Sequence, residues 1–146
     1  MTLYLVARSG ERLVALPLAS VSETMRPLAF SAIAGAPPFV KGLSLIRGTP
    51  TAVVDLGRLI GGESSERTTR FVTVVTGERS VALAVDAVLG IRDLPVGALG
   101  AAPPLLRDAA MDALEAVGRL DAELLVVLRA SRLLVDRAWY GAGAVS

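Results

Sequence analysis

Short apolar runs of six to nine residues, separated by polar breaks that carry glycine, dominate this chain. They are "TLYLVA" (2–7), "RLVALPL" (12–18), "TAVVDL" (51–56), "RFVTVV" (70–75), "SVALAVDAV" (80–88) and "ELLVVLR" (123–129). Runs of this length, rich in Val, predict strands rather than helices. Apolar residues occupy both parities of most runs, so these strands are expected to be buried on two faces. "RSGER" (8–12) and "VTGER" (75–79) each place Gly-Glu between two runs, as a tight hairpin does.

The two hairpins echo one another. "GERLVALPLASV" (10–21) and "GERSVALAVDAV" (77–88) lie at an offset of 67 with seven of twelve residues identical. A second echo joins "VVDLGRLI" (53–60) to "VVLRASRLL" (126–134). The expected organisation is one domain over 1–146 with two pseudo-repeat halves, roughly 1–66 and 67–138, and a short C-terminal tail. Two such units, each small alone, suggest two barrels or sandwiches packed on a shared core. Helical signal is scarce. "DLGRLIG" (55–61) fits one or two turns with Asp55 at the start, and "RASRLLVDRAWY" (129–140) spaces Leu133, Leu134 and Ala138 for one helix face. "PLLRDAAMDALEAV" (104–117) has helical propensity, but the following "GRLDAELLVVL" reads as turn and strand, so 113–119 can equally open a hairpin.

Composition narrows the chemistry. The 146 residues include no Cys and no His, which removes thiol and imidazole catalysis and the usual zinc sets. No acidic cluster has calcium-loop spacing, and neither a nucleophile elbow nor a phosphate-binding glycine loop occurs; "GRLIGG" (57–62) has the wrong spacing. No enzyme activity and no cofactor are therefore expected. Fifteen basic against fourteen acidic residues, balanced between halves, argue against a nucleic-acid surface. Hydrophobic content is 53%, yet no run is long enough to span a bilayer, and Arg8 and Glu11 interrupt any N-terminal leader. A soluble cytoplasmic domain is the expectation. Asp55 and Asp86 both close strands, where a carboxylate accepts turn N–H bonds or caps the next segment.

Arg47, between an apolar strand and Gly48, is either a strand-end charge paired with Glu23 or Asp55, or a residue held out for a partner. Val21 and Glu23 flank Ser22 and are expected on one face of a strand. Phe39, beside Pro37 and Pro38, is a core anchor or a groove residue.

The ordered set "SVSE" (20–23), "PPFVKG" (37–42), "IRG" (46–48), "AVVDLGRLIG" (52–61), "VALAVDAVLGI" (81–91) and "ELLVVLRASRLL" (123–134) resembles the chemotaxis coupling (CheW-like) family. The likeness runs from Leu3 to Val135. It departs at Leu45-Ile46, where the family has Asn-Leu, and at Arg129, where Asp is usual. The resemblance implies a mainly β fold of two packed five-stranded SH3-like barrels, with short helices near 55–61 and 130–140. It implies a non-catalytic adapter between the cytoplasmic tip of a chemoreceptor and the regulatory domain of a CheA-type histidine kinase, associated with membrane receptor arrays through these partners and not itself inserted. Receptor contact then falls to Arg47, Glu23, Val21 and Phe39. Kinase contact falls to turns around Gly77, Val88 and Ile91. A scaffold of a divergent motility or other signalling pathway, or a small barrel binding another ligand, are the competing readings.

Overall fold

A computed structural model describes residues 2–60, 67–76, 79–94, 99–101, 114–120 and 123–128. In chain order the strands are β1 (Leu3–Ser9), β2 (Arg12–Pro17), β3 (Val21–Met25), β4 (Val40–Ile46), β5 (Thr49–Asp55), β6 (Arg70–Thr76), β7 (Arg79–Val85), β8 (Ala87–Asp93), β9 (Leu99–Ala101), β10 (Leu114–Leu120) and β11 (Glu123–Leu128). A 3-10 turn (Leu18–Ser20) follows β2, and a short α-helix, α1 (Leu56–Leu59), follows β5. The helix expected near 55–61 is thus present, while the one near 130–140 lies outside the described residues. The strand reading of 113–119 holds, because β10 pairs antiparallel with β11.

Two sheets form, ordered β8-β1-β2-β11-β10-β9 and β3-β6-β7-β5-β4. The first five positions of one repeat those of the other, in the same sense at every step. Antiparallel β1–β2 answers antiparallel β6–β7, and parallel β11–β2 answers parallel β5–β7. The offset of 67 carries β1, β2 and β3 onto β6, β7 and β8. The cross-strand partners Val126↔Val14 and Ala52↔Val81 equate Val126 with Ala52, an offset of 74. The second echo is therefore one residue out of step: Val53 answers Val127, not Val126.

The sheets do not divide where the sequence halves do. β1 and β2 join β8 through β11, and β6 and β7 join β3, β4 and β5, so the chain changes sheets after β2 and again after β7. "SVALAVDAV" (80–88) is consequently two strands rather than one, parted at Asp86. Asp86 stitches that crossing. Its carboxylate accepts from the Gly10 N–H at 2.7 Å, its own N–H donates to the Arg8 carbonyl, and its carbonyl accepts from the Thr69 hydroxyl at 2.5 Å. Gly10 turns the β1–β2 hairpin at φ +62°, so one carboxylate ties the turn of one sheet to the crossing from the other.

Burial follows this arrangement. A central cluster draws Leu5, Ala7, Val14, Leu16, Val126 and Leu128 from one sheet against Ala52, Val54, Val72, Val74, Val81 and Leu83 from the other. Each sheet also encloses its own smaller interior. Val6, Leu13, Ala15, Leu94, Leu125 and Val127 fill one, and Ile46, Val53, Phe71, Ala82 and Ala84 fill the other. The apolar residues on both parities of the strands are explained by these layers: one parity faces the shared core, the other its own barrel interior.

Candidate functional site

Two of the side chains singled out by sequence, Glu23 and Arg47, meet at the mouth of the second barrel. Along β5, β6 and β7 the inward parity reads Val53, Phe71, Ala82 and Ala84 in the interior, and Thr51, Thr73 and Ser80 toward one end. There a groove of about 580 Å³ opens, lined by Ser22, Glu23, Ile46, Arg47, Thr73 and Arg79 among others. Its size falls within the range of ligand and partner clefts.

Arg47 enters the groove from a two-residue hairpin turn. Ile46 pairs with Thr49, so Arg47 and Gly48 alone connect β4 to β5. Both have positive φ, +51° and +78°, as a type I′ turn requires. Gly48 adopts this conformation freely. Arg47 does not, since a β-carbon crowds the backbone there, and Asn is the residue usually chosen. Arg47 is the one non-glycine residue in this region among the described residues, so the turn keeps an arginine against its local preference.

From that turn the guanidinium reaches across to β3. Arg47 Nε donates to Glu23 Oε2 at 2.7 Å and Nη2 to Oε1 at 3.1 Å, a two-point ion pair. Glu23, not Asp55, is its partner; Asp55 instead caps α1 by accepting from the Arg58 N–H at 3.3 Å. The Arg47 side chain is 77% exposed and Glu23 30%. The Arg47 hydrogen bonds hold the Glu23 carboxyl below its ordinary 4.5; partial burial opposes this and the arginine charge assists it. Glu23 in turn raises the pKa of Arg47, again first through the hydrogen bonds.

Glu23 owes its position to a β-bulge. Val21 stands opposite Val74 but Glu23 stands opposite Thr73, so Ser22 is an extra residue. Val74 and Thr73 point to opposite faces of β6, and so Val21 and Glu23 do too. The expectation that they share a face is overturned: Val21 packs against the central core while Glu23 turns to the groove. The bulge breaks the ladder, and the Thr73 hydroxyl mends it. It accepts from the Glu23 N–H at 3.1 Å and donates to the Glu23 carbonyl at 3.2 Å. Thr73 is 4% exposed. Sequence reasoning missed it, because inside "RFVTVV" a threonine reads as one more β-branched strand residue.

Phe39 is partly buried against the central core, and its carbonyl accepts from the Asp55 N–H at 2.7 Å; it does not line the groove. The glycine of "PPFVKG" has a steric cause. A β-carbon on Gly42 would meet the Ser31 carbonyl carbon at 2.7 Å and collide with its oxygen. Ser31 pairs with Leu43 through reciprocal backbone bonds of 2.8 and 2.9 Å, laying the 26–39 loop on β4. Of the remaining candidates, Val88 packs on the central core from β8, Ile91 is 51% exposed on the same strand, and Gly77 lies outside the described residues. No group of three or more His, Cys, Asp or Glu side chains among the described residues could hold a metal ion, and no helix among them is long and apolar enough to cross a membrane.

A profile of the CheW-like domain matches residues 3–138. Protein FrzA of Myxococcus xanthus is 33% identical over 132 residues, covering 87% of this chain and 81% of that protein. The chemotaxis protein CheW of Klebsiella aerogenes is 25% identical over 133 residues, covering 90% and 80%. Among solved structures, the scaffolding protein TtCheW from Thermoanaerobacter tengcongensis superposes with a TM-score of 0.76 at 21% identity, covering 88% of each chain. That superposition speaks for the two-barrel fold, and the profile match together with the sequence relatives shows that this chain belongs to the CheW-like domain family.

Proposed function

We propose that the chain is a non-catalytic adapter of chemotaxis-type signalling, joining the helical cytoplasmic tip of a chemoreceptor to the regulatory domain of a CheA-type histidine kinase. One observation carries this reading: the Glu23–Arg47 pair, presented at a barrel mouth on a turn that disfavours arginine. A side chain kept in an unfavourable backbone region has a reason outside the turn itself. Arginine supplies a planar set of donors suited to a partner surface. Membership of a family that includes a chemotaxis protein and a scaffolding protein supports the same reading.

In this account the receptor helix lies in the groove against the Glu23–Arg47 pair, with Val21 and Phe39 setting strand and loop from the core side. The kinase meets the outer edge of the other barrel. There Leu3 on β1 and Leu89 and Ile91 on β8 stand exposed, with Val88 of β8 packed on the central core. Gly77, proposed for kinase contact on sequence grounds alone, falls between β6 and β7 of the groove-bearing barrel and would be a contact separate from this edge. The adapter acts in the cytoplasm, at receptor arrays, through these partners. Size-exclusion chromatography of the chain with a receptor cytoplasmic fragment and the kinase tests the proposal: a ternary complex is expected, and failure of the kinase to join under any receptor condition contradicts it. A second reading is a scaffold for another signalling output, within a family whose members include Protein FrzA as well as a chemotaxis protein. Assaying the host for which of its kinases the chain retains separates the two.

A further inference from the structure

We propose that segment 26–31, lying on β4, is a further docking surface that takes an acidic amphipathic helix from a protein partner. It is separate from the groove, since none of Leu28, Phe30 and Lys41 lines that cleft.

The segment is held as a ledge. The hydroxyl of the buried Ser44 donates to the Ala29 carbonyl at 2.7 Å. Ser31 exchanges both backbone bonds with Leu43, and Gly42, lacking a β-carbon, makes room for it. Three successive residues of β4 thus fasten a connecting segment that would otherwise be free to vary. Leu28 and Phe30 alternate with the fastened residues and are 41% and 42% exposed. Apolar side chains kept in water on a bonded backbone mark an interaction site, and little freedom is lost when a partner covers them.

Charge indicates what covers them. Residues 24–54 include Arg26, Lys41 and Arg47 but no Asp or Glu, although the whole chain is nearly neutral. Glu23 matches Arg47. Arg26 and Lys41 pair with no carboxylate among the described residues. The Lys41 ammonium lies instead 5.9 Å from the centre of the Phe30 ring, a cation–π distance. A positive charge therefore stands directly beside the apolar ledge. A partner whose apolar residues are flanked by Asp or Glu complements both. Ser31 already fills the hydrogen-bonding edge of β4 at Leu43, so the partner meets side chains and does not add a strand there. An amphipathic helix docks in this way.

Amide NMR shifts of the isotope-labelled chain test this with three probes. These are a synthetic helical peptide whose leucine face is flanked by glutamates, the same peptide with lysines in their place, and vesicles of phosphatidylcholine with phosphatidylserine. The glutamate peptide is expected to shift residues 28–31 and 41–45, and to bind at least about tenfold more tightly than the lysine peptide. Phe30→Ser and Lys41→Glu, each checked for unchanged melting, should each weaken it by about tenfold. Arg47→Glu should bind it within about twofold of the wild type, because the groove is not used and distant charges are screened. Equal binding of the two peptides, no shift of the ledge residues, or shifts confined to the groove overturns the inference. Association with the vesicles in place of the glutamate peptide also overturns it, and makes the ledge a membrane contact.

Discussion

The two barrels carry the same strand order and nearly the same edge, but the edges are finished differently. β3 answers β8 at the offset of 67, and each holds a bulge at the matching place: Ser22 between Val21 and Glu23, Leu89 between Val88 and Gly90. From there the halves part. Glu23 answers Gly90, and Thr73 answers Val6, a fully buried residue in the other interior. The turn Arg47-Gly48 answers the two residues Asp121 and Ala122 that connect β10 to β11 in sequence. One edge thus has an acid, a hydroxyl that mends the bulge around it, and a base facing the acid. The other has a glycine at φ +118°, a valine, and exposed Leu89 and Ile91. A repeated scaffold supplies two similar ledges, and side-chain substitution makes one polar and one apolar. The difference teaches that the polar ledge is not a by-product of the fold: the same backbone forms without it.

The comparison can be broken first at the interiors. Phe71 is fully buried beneath the groove, while its counterpart Tyr4 is only partly buried. Phe71→Ala is expected to destabilise by about 3–5 kcal/mol, and Tyr4→Ala by clearly less, measured by urea unfolding. Equal losses would mean that the two interiors are equally filled. Next comes the bulge. Thr73→Val strands a buried N–H and carbonyl of Glu23 and is expected to cost about 1–3 kcal/mol. The reciprocal Val6→Thr buries a hydroxyl where the second edge offers Gly90 instead of Glu23, and should also destabilise. A neutral Thr73→Val would show that the Glu23 backbone finds other partners.

A smaller effect is expected at the turn. Arg47→Asn removes an ion pair but places a residue suited to positive φ, and the melting temperature should change by no more than roughly 2 °C. A large fall would make Arg47 a structural residue. The least effect is that of pH. Because Arg47 lowers the pKa of Glu23, the pair's contribution is fully present above the ordinary carboxyl value of 4.5 and is lost only as pH falls through the lowered value beneath it. With no histidine in the chain, receptor affinity should be flat between about pH 6 and 8. A titration step in that range would have to come from the partner.

Much of this was readable from the chain, and the limits have physical causes. The strands within the apolar runs and both Gly-Glu hairpins were legible because apolar runs and turn residues are local signals, whereas β9 was not, lying in a stretch broken by Gly and Pro. The repeat was legible because strand 12–17 and strand 79–85 face equivalent surroundings and so keep the same side chains. Asp55 and Asp86 were read correctly as strand-end acceptors, although nothing local says that Asp86 reaches Gly10. The division of 80–88 at Asp86 was hidden, since apolar residues continue on both sides and only the change of sheet reveals it. The opposed faces of Val21 and Glu23 were hidden for a related reason: "VSE" alternates as an ordinary strand does, and the extra residue exists only relative to β6. Thr73 escaped notice because its role depends on that bulge.

The central claim is that Arg47 is held in place for a partner and not for the fold. The direct test pairs two measurements on one variant, Arg47→Glu: affinity for the receptor cytoplasmic fragment and melting temperature. The account predicts at least about a tenfold loss of affinity with melting nearly unchanged. Unaltered affinity, or a loss of affinity matched by a collapse in melting temperature, would contradict it.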